Sequence, residues 1–140
     1  MRGFLPQIDI KFGGTISPIP TASESNVLII DDSNYIVGNT QLSIFSEFSL
    51  GSLSSIELRY YFATGEKDDS GNLKWFQVPV KDASTGELMN RPSILNSSSP
   101  SGVVEDIGIS RAIAFKITAR GVGTSNTGSS IKVSVGMGIN

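Results

Sequence analysis

The sequence predicts an all-β fold: an antiparallel two-sheet β-sandwich, jelly-roll-like, with about eight strands. Three observations carry that expectation. Apolar and polar residues alternate with period two through most of the chain, and no segment shows the 3.6-residue stripe of an amphipathic helix. Clusters of Gly, Ser, Asn and Asp interrupt these runs at the close spacing of an antiparallel meander. No stretch reads as a crossover helix of about ten residues, which parallel strands would need.

The elements follow in order. Gln7 to Phe12 alternates Ile8 and Ile10 with Asp9 and Lys11 and is expected to stop at Gly13-Gly14. Thr15 to Ala22 carries Pro18 and Pro20, so it should run extended and solvated or lie along an edge. Val27 to Ile30 is a short apolar run closed by the turn cluster Asp31-Asp32-Ser33-Asn34. Tyr35 to Val37 follows, before a turn at Gly38-Asn39. Gln41 to Leu50 places Leu42, Ile44, Phe48 and Leu50 on one face and Ser43, Glu47 and Ser49 on the other. Phe45 is the exception, an aromatic residue on the polar face.

Ser55 to Thr64 turns Ile56, Leu58, Tyr60 and Phe62 inward. It is expected to pair with Lys74 to Val80 as a long hairpin across a charged loop. Residues 82–108 hold Pro92, Pro100 and Ser97-Ser98-Ser99 and read as a long irregular loop, with room for a short strand near Glu87–Met89 or Val103-Val104. Ala112 to Arg120 and Ile131 to Met137 alternate again around a Gly/Ser/Thr/Asn turn. The domain organisation that results is an N-terminal arm with the first strand over 1–22, then one sandwich domain over 23–140.

Composition narrows the function. The 140 residues suit one domain, and 39% hydrophobic residues suffice for one core. Charged residues make up only 17%, against a typical ~25%. A near-neutral Ser/Thr surface costs little to desolvate, which suits packing against other protein. The net charge of −2 offers no basic footprint for nucleic acid. No apolar stretch approaches the ~18 residues of a membrane-spanning helix, so no membrane partner is expected. The absence of Cys and His removes thiolate sites, disulfides, imidazole bases and the commonest metal ligand. The chain is therefore expected not to be an enzyme, and no catalytic residue, cofactor or metal site is expected.

The remaining candidates are weak as chemistry. Asp31-Asp32 and Asp68-Asp69-Ser70-Gly71-Asn72 could offer oxygens to calcium, but neither has EF-hand spacing and both read more simply as turns. A glycosidase would need two carboxylates flanking a cleft. Glu24, Glu47, Glu57, Glu66, Glu87 and Glu105 are the available glutamates, and nothing in their spacing singles out a pair. Trp75 and Tyr61 fall opposite the core set of the hairpin. Their rings are open to three fates: cover within the chain, a protein interface, or stacking on a sugar. Phe4 and Leu5 lack partners in the first strand and would dock on a neighbour or fold back. Together with Phe45, Tyr61 and Trp75, and with Leu88, Met89, Ile94 and Leu95 in the 82–108 loop, they form the expected interface set.

The run Ile56-Glu57-Leu58-Arg59-Tyr60-Tyr61-Phe62, leading through a polar loop to Lys74-Trp75-Phe76-Gln77-Val78-Pro79-Val80, resembles small bacteriophage virion proteins. So does the closing pair, Arg111 to Ile117 followed by Ser130 to Gly136. The resemblance spans residues 40–140, and the N-terminal third does not share it. It implies a virion structural protein: a capsid decoration or minor capsid protein, or alternatively a tail or neck part. It implies a trimer or larger oligomer of the chain, with other virion proteins such as the major capsid protein as further partners. A carbohydrate-binding or adhesin-type module, with glycan as its ligand, is the alternative that Trp75 and Tyr61 support.

Overall fold

A computed structural model describes residues 10–31, 39–81, 84–110 and 112–138. They form eleven strands and no helix. The strands are β1 (Ile10–Ile16), β2 (Ser25–Ile30), β3 (Asn39–Ser49), β4 (Ser55–Ala63), β5 (Phe76–Gln77), β6 (Val80–Lys81), β7 (Leu88–Met89), β8 (Ser93–Asn96), β9 (Gly102–Ser110), β10 (Ala114–Val122) and β11 (Ser130–Gly138).

Sheet A runs β1-β11-β3-β9 and sheet B runs β2-β10-β4-β5, with β8 also paired to β4. Every pairing is antiparallel. Because β10 already takes one side of β4, β5 and β8 share the other. They are two halves of one edge strand, separated by an excursion that contains the small hairpin β6–β7. Counted so, eight strands build two facing four-stranded sheets, each interleaving strands from both ends of the chain. This is the two-Greek-key jelly roll.

Alternation explains the sandwich. Leu42 and Ile44 on β3 and Ile131, Val133 and Val135 on β11 meet Ile56, Leu58 and Tyr60 on β4 and Phe115, Ile117 and Ala119 on β10 in one buried cluster. Burying each large aliphatic side chain contributes roughly 1.5–3 kcal/mol, which fixes the register of every central strand, since a one-residue slip would turn the whole set to water. Tyr60 and Phe115 stack at 6.4 Å between ring centroids.

The structure corrects the sequence reading at four places. The first strand does not stop at Gly13-Gly14 but runs through them, pairing with β11 up to Ile16–Ile131. Gly14 is there because the sheets close on each other: a Cβ at that position would lie 2.0 Å from the Val27 carbonyl oxygen. The Pro-containing segment is not a solvated strap. Ile19 is fully buried, its N–H donates to Ser129 Oγ (2.9 Å), and Asn126 Nδ2 donates to its carbonyl (2.9 Å).

The hairpin is shorter than expected. β5 pairs with β4 only at Phe62–Phe76 and Tyr61–Gln77, with one more bond from Val78 N to the Tyr60 carbonyl (2.7 Å). Pro79, with a fixed φ and no N–H, follows directly, and the chain leaves β4 there. Finally, 82–108 is not an irregular loop: its described residues contain β7, where a short strand was expected, then β8 and most of the nine-residue edge strand β9. Leu95, expected at an interface, is 2% exposed, because β8 pairs with β4 and points it into the core.

Candidate functional site

Three surfaces hold side chains that the core does not account for. The first is the outer face of sheet A. Phe45 and Val104 sit directly opposite each other on β3 and β9, 42% and 59% exposed. Across β11 and β1 the same row continues with Ser134 and Gly13. Adjacent rows carry Gly136, Ser43 and Asp106 on one side and Lys132, Glu47 and Gly102 on the other. The Phe45 ring leans toward Gly136, within 3.6 Å of where a Cβ would stand. The outcome is a shelf of small residues with one apolar pair standing on it. Its polar border includes a bond from Ser43 Oγ to Asp106 Oδ1 (2.7 Å).

The outer face of sheet B is built differently. Lys116 on β10 holds its ammonium 4.7 Å from the Trp75 ring centre and 5.1 Å from that of Tyr61. The Tyr61 hydroxyl donates to Glu24 Oε1 (2.5 Å), and Thr118 Oγ1 donates to the same oxygen (2.7 Å). Partial burial pushes the Glu24 carboxyl upward. The two hydrogen bonds, with the charges of Arg59 and Lys116, outweigh that and hold it below its ordinary value. The Tyr61 phenol is pushed up to about 12 by burial and by the Glu24 carboxylate. Nearby, Glu57 pairs with Arg59 at 3.4 Å and Arg120 at 3.7 Å. Tyr61 and Trp75 are thus half-buried and brought together, each with a ring face turned to Lys116.

The third surface is a cleft of about 380 Å³ at the open edge of the sandwich, between β9 and the β5–β7 excursion. Its walls are Val78, Pro79, Val80, Leu88 and Ile107, and its polar groups come from Tyr60, Glu105 and Asp106. Glu105 alternates with Val103 and Ile107 on the inward side of β9. Its Oε1 accepts from the Tyr60 hydroxyl (2.8 Å) and from Ser93 Oγ (2.6 Å). Burial, then the Glu105 charge and hydrogen bond, raise the Tyr60 phenol well above its ordinary value, so it stays a donor.

Of the other expected interface residues, Leu88 (70%), Met89 (41%) and Ile94 (41%) are exposed on β7 and β8. Phe4 and Leu5 lie outside the described residues, as does Asp32. Asp68 folds its own turn, accepting from the N–H groups of Ser70 and Asn72. No group of three or more acidic side chains among the described residues could hold a metal ion. Sequence reasoning named Glu24 and Glu105 only as members of a list. The signal that could have distinguished Glu105 is its place between Val103 and Ile107, a carboxylate on the apolar side of an alternating run.

No protein-family model matches the chain, and no curated protein matches it. Among solved structures, one described as Bacillus endospore appendages that form a novel family of disulfide-linked pili is 9% identical, with a TM-score of 0.45, covering 100% of this chain and 96% of that one. A cleaved adhesin domain of Lys-gingipain from Porphyromonas gingivalis is also 9% identical, with a TM-score of 0.38 over 89% of this chain and 73% of that one. Neither is a bacteriophage protein, and at these scores neither carries an argument about function. This chain has no cysteine with which to form a disulfide.

Proposed function

We propose that the protein is a non-enzymatic structural module that joins a larger assembly by burying the outer face of sheet A against a second copy of itself. The observation that carries this is the Phe45–Val104 pair: two large apolar side chains, directly opposed and exposed, on a face otherwise made of Gly, Ser and Thr with a charged border. An aromatic anchor set among small residues lets a partner's backbone approach closely. A polar rim around an apolar centre is the anatomy of a protein interface. The virion, with the chain as a decoration or minor capsid protein beside the major capsid protein, is the setting that the sequence resemblance implies. The assembly reading does not depend on it. Sugar stacking is the weaker reading, because Lys116 already lies over the rings of Trp75 and Tyr61.

Sedimentation velocity across a concentration series tests the proposal. The wild-type chain should form a dimer or larger species, and a Phe45→Ser, Val104→Ser double variant should sediment as a monomer, with the denaturation midpoint that the wild type shows at dilutions where it is itself monomeric. A wild-type chain that stays monomeric at every concentration, or a double variant that still assembles, would sink it.

A further inference from the structure

We infer that the edge cleft beside β9 is a binding site for a cationic side chain, the ammonium of a lysine or the guanidinium of an arginine, presented by an extended segment of a partner protein. The inference goes beyond the assembly reading and uses a different surface.

The argument starts from Glu105. A carboxylate on the inward side of a sandwich strand is costly unless something satisfies it. Here one oxygen, Oε1, takes both donors within reach, Tyr60 and Ser93. The second oxygen receives no hydrogen bond from a described residue, and the ion pairs formed by Arg59, Arg120 and Lys74 all go to other glutamates. Tyr60 is 1% exposed, so its hydroxyl is held by the core and fixes the carboxylate in one orientation. A pre-oriented acid with a free oxygen, facing a cleft, calls for a donor that carries positive charge.

The rest of the cleft selects among cations. Val78, Pro79, Val80, Leu88 and Ile107 form an apolar wall suited to the methylene stem of a lysine or arginine. A hard metal ion would need six or more oxygens, and this wall does not supply them. Asp106 adds negative charge at the cleft, though its side chain is tied to Ser43 on the outer face.

The third observation is the strand itself. Among the described residues, β9 is the last strand of sheet A and pairs with β3 alone, so the backbone groups along its other edge meet no described strand. β9 contains no proline or lysine, and its one edge-blunting device, the inward-pointing charge of Glu105, disfavours a segment that brings no countercharge. A segment lying on that edge would gain ladder hydrogen bonds. The same placement brings its side chains to the mouth of the cleft, where backbone pairing gives affinity and the pocket gives specificity.

The test uses the full chain, labelled with ¹⁵N, and a short extended peptide of threonine and valine with one central lysine. Matched peptides carry arginine or norleucine at that position, and n-butylamine supplies the cation without a strand. The expected result is perturbation of the Glu105–Gly108 amides, with the lysine and arginine peptides binding at least about tenfold tighter than the norleucine peptide. Glu105→Gln should erase that preference. Leu88→Ala, at an exposed rim position that folding does not need, should weaken binding a few-fold. A norleucine peptide that binds as well, a preference that survives Glu105→Gln, or no perturbation by any peptide would overturn the site. If n-butylamine binds as tightly as the lysine peptide, the ligand is a small amine and the strand-borne source is wrong.

Discussion

The two outer faces of this sandwich solve opposite problems with the same strand geometry. On sheet B, Glu24, Tyr61, Thr118, Lys116 and Trp75 close on one another, so the aromatic rings have a cation and the hydroxyls have an acceptor within the chain. On sheet A the central pair, Phe45 and Val104, is not covered by the small and charged residues of the adjacent rows and stays exposed. A face that satisfies its own groups has little to gain from a partner. One that leaves an aromatic standing among glycines and serines gains by being covered. Sheet B also presents single apolar side chains, Ile29 opposite Lys116 and Ile94 opposite Glu57, so what distinguishes sheet A is that two exposed apolar residues, one of them aromatic, face each other directly.

The largest expected effect tests whether sheet A's face is free in the folded chain. Phe115→Ala empties a fully buried position between the sheets and should cost about 3–5 kcal/mol in chemical denaturation. Phe45→Ala, an aromatic truncation of the same kind on the outer face, should change monomer stability by no more than about 0.5 kcal/mol. If the two losses prove similar, Phe45 is holding the fold together, and the contrast between the faces collapses.

The sequence made this contrast visible on one side only. Phe45 interrupts a clean alternation from Leu42 to Leu50, so an outward aromatic was legible. Strand β9 was legible only as room for a short strand near Val103-Val104, although it alternates over a longer run: Val103, Ile107 and Ile109 point inward. Val104 on the outside and Glu105 on the inside invert the polarity at its centre, so the run reads as aperiodic. Those two residues serve the outer face and the cleft respectively, and the functional positions are the ones that break the local rule. Leu95 failed for a related reason. Only its pairing through β8 to β4, long-range information, turns it toward the core and leaves Ile94 outside. The cluster around Glu24 was out of reach because its members lie 37 and 94 residues apart in sequence.

A smaller effect sharpens the account of sheet B. Glu24 sits below the ordinary glutamate value of 4.5, so its contribution to stability is fully present above that pH and is lost as pH falls through the lowered folded value. Glu24→Gln keeps an acceptor for Tyr61 and Thr118 but removes the charge. It should cost about 1 kcal/mol or less at neutral pH, since the carboxylate is open to solvent. The gap between variant and wild type should close on acidification below 4.5, as read from denaturation midpoints across a pH series. A gap that stays constant down to strong acid would mean that the charge plays no part.

The smallest effect concerns Lys116 and decides whether sheet B is closed by electrostatics or merely crowded. Lys116→Met retains an unbranched stem over Tyr61 and Trp75 and removes only the ammonium. The loss should be about 0.5–1 kcal/mol, the worth of a cation held over aromatic rings at a partly exposed site. Trp75 is the only tryptophan, so its emission reports this contact without interference and should shift when the charge leaves. A variant as stable as wild type, with unchanged Trp75 emission, would show that the ammonium is solvated. The rings would then be as available to a ligand as Phe45 is to a second copy, and the distinction between the two faces would rest on Glu24 alone.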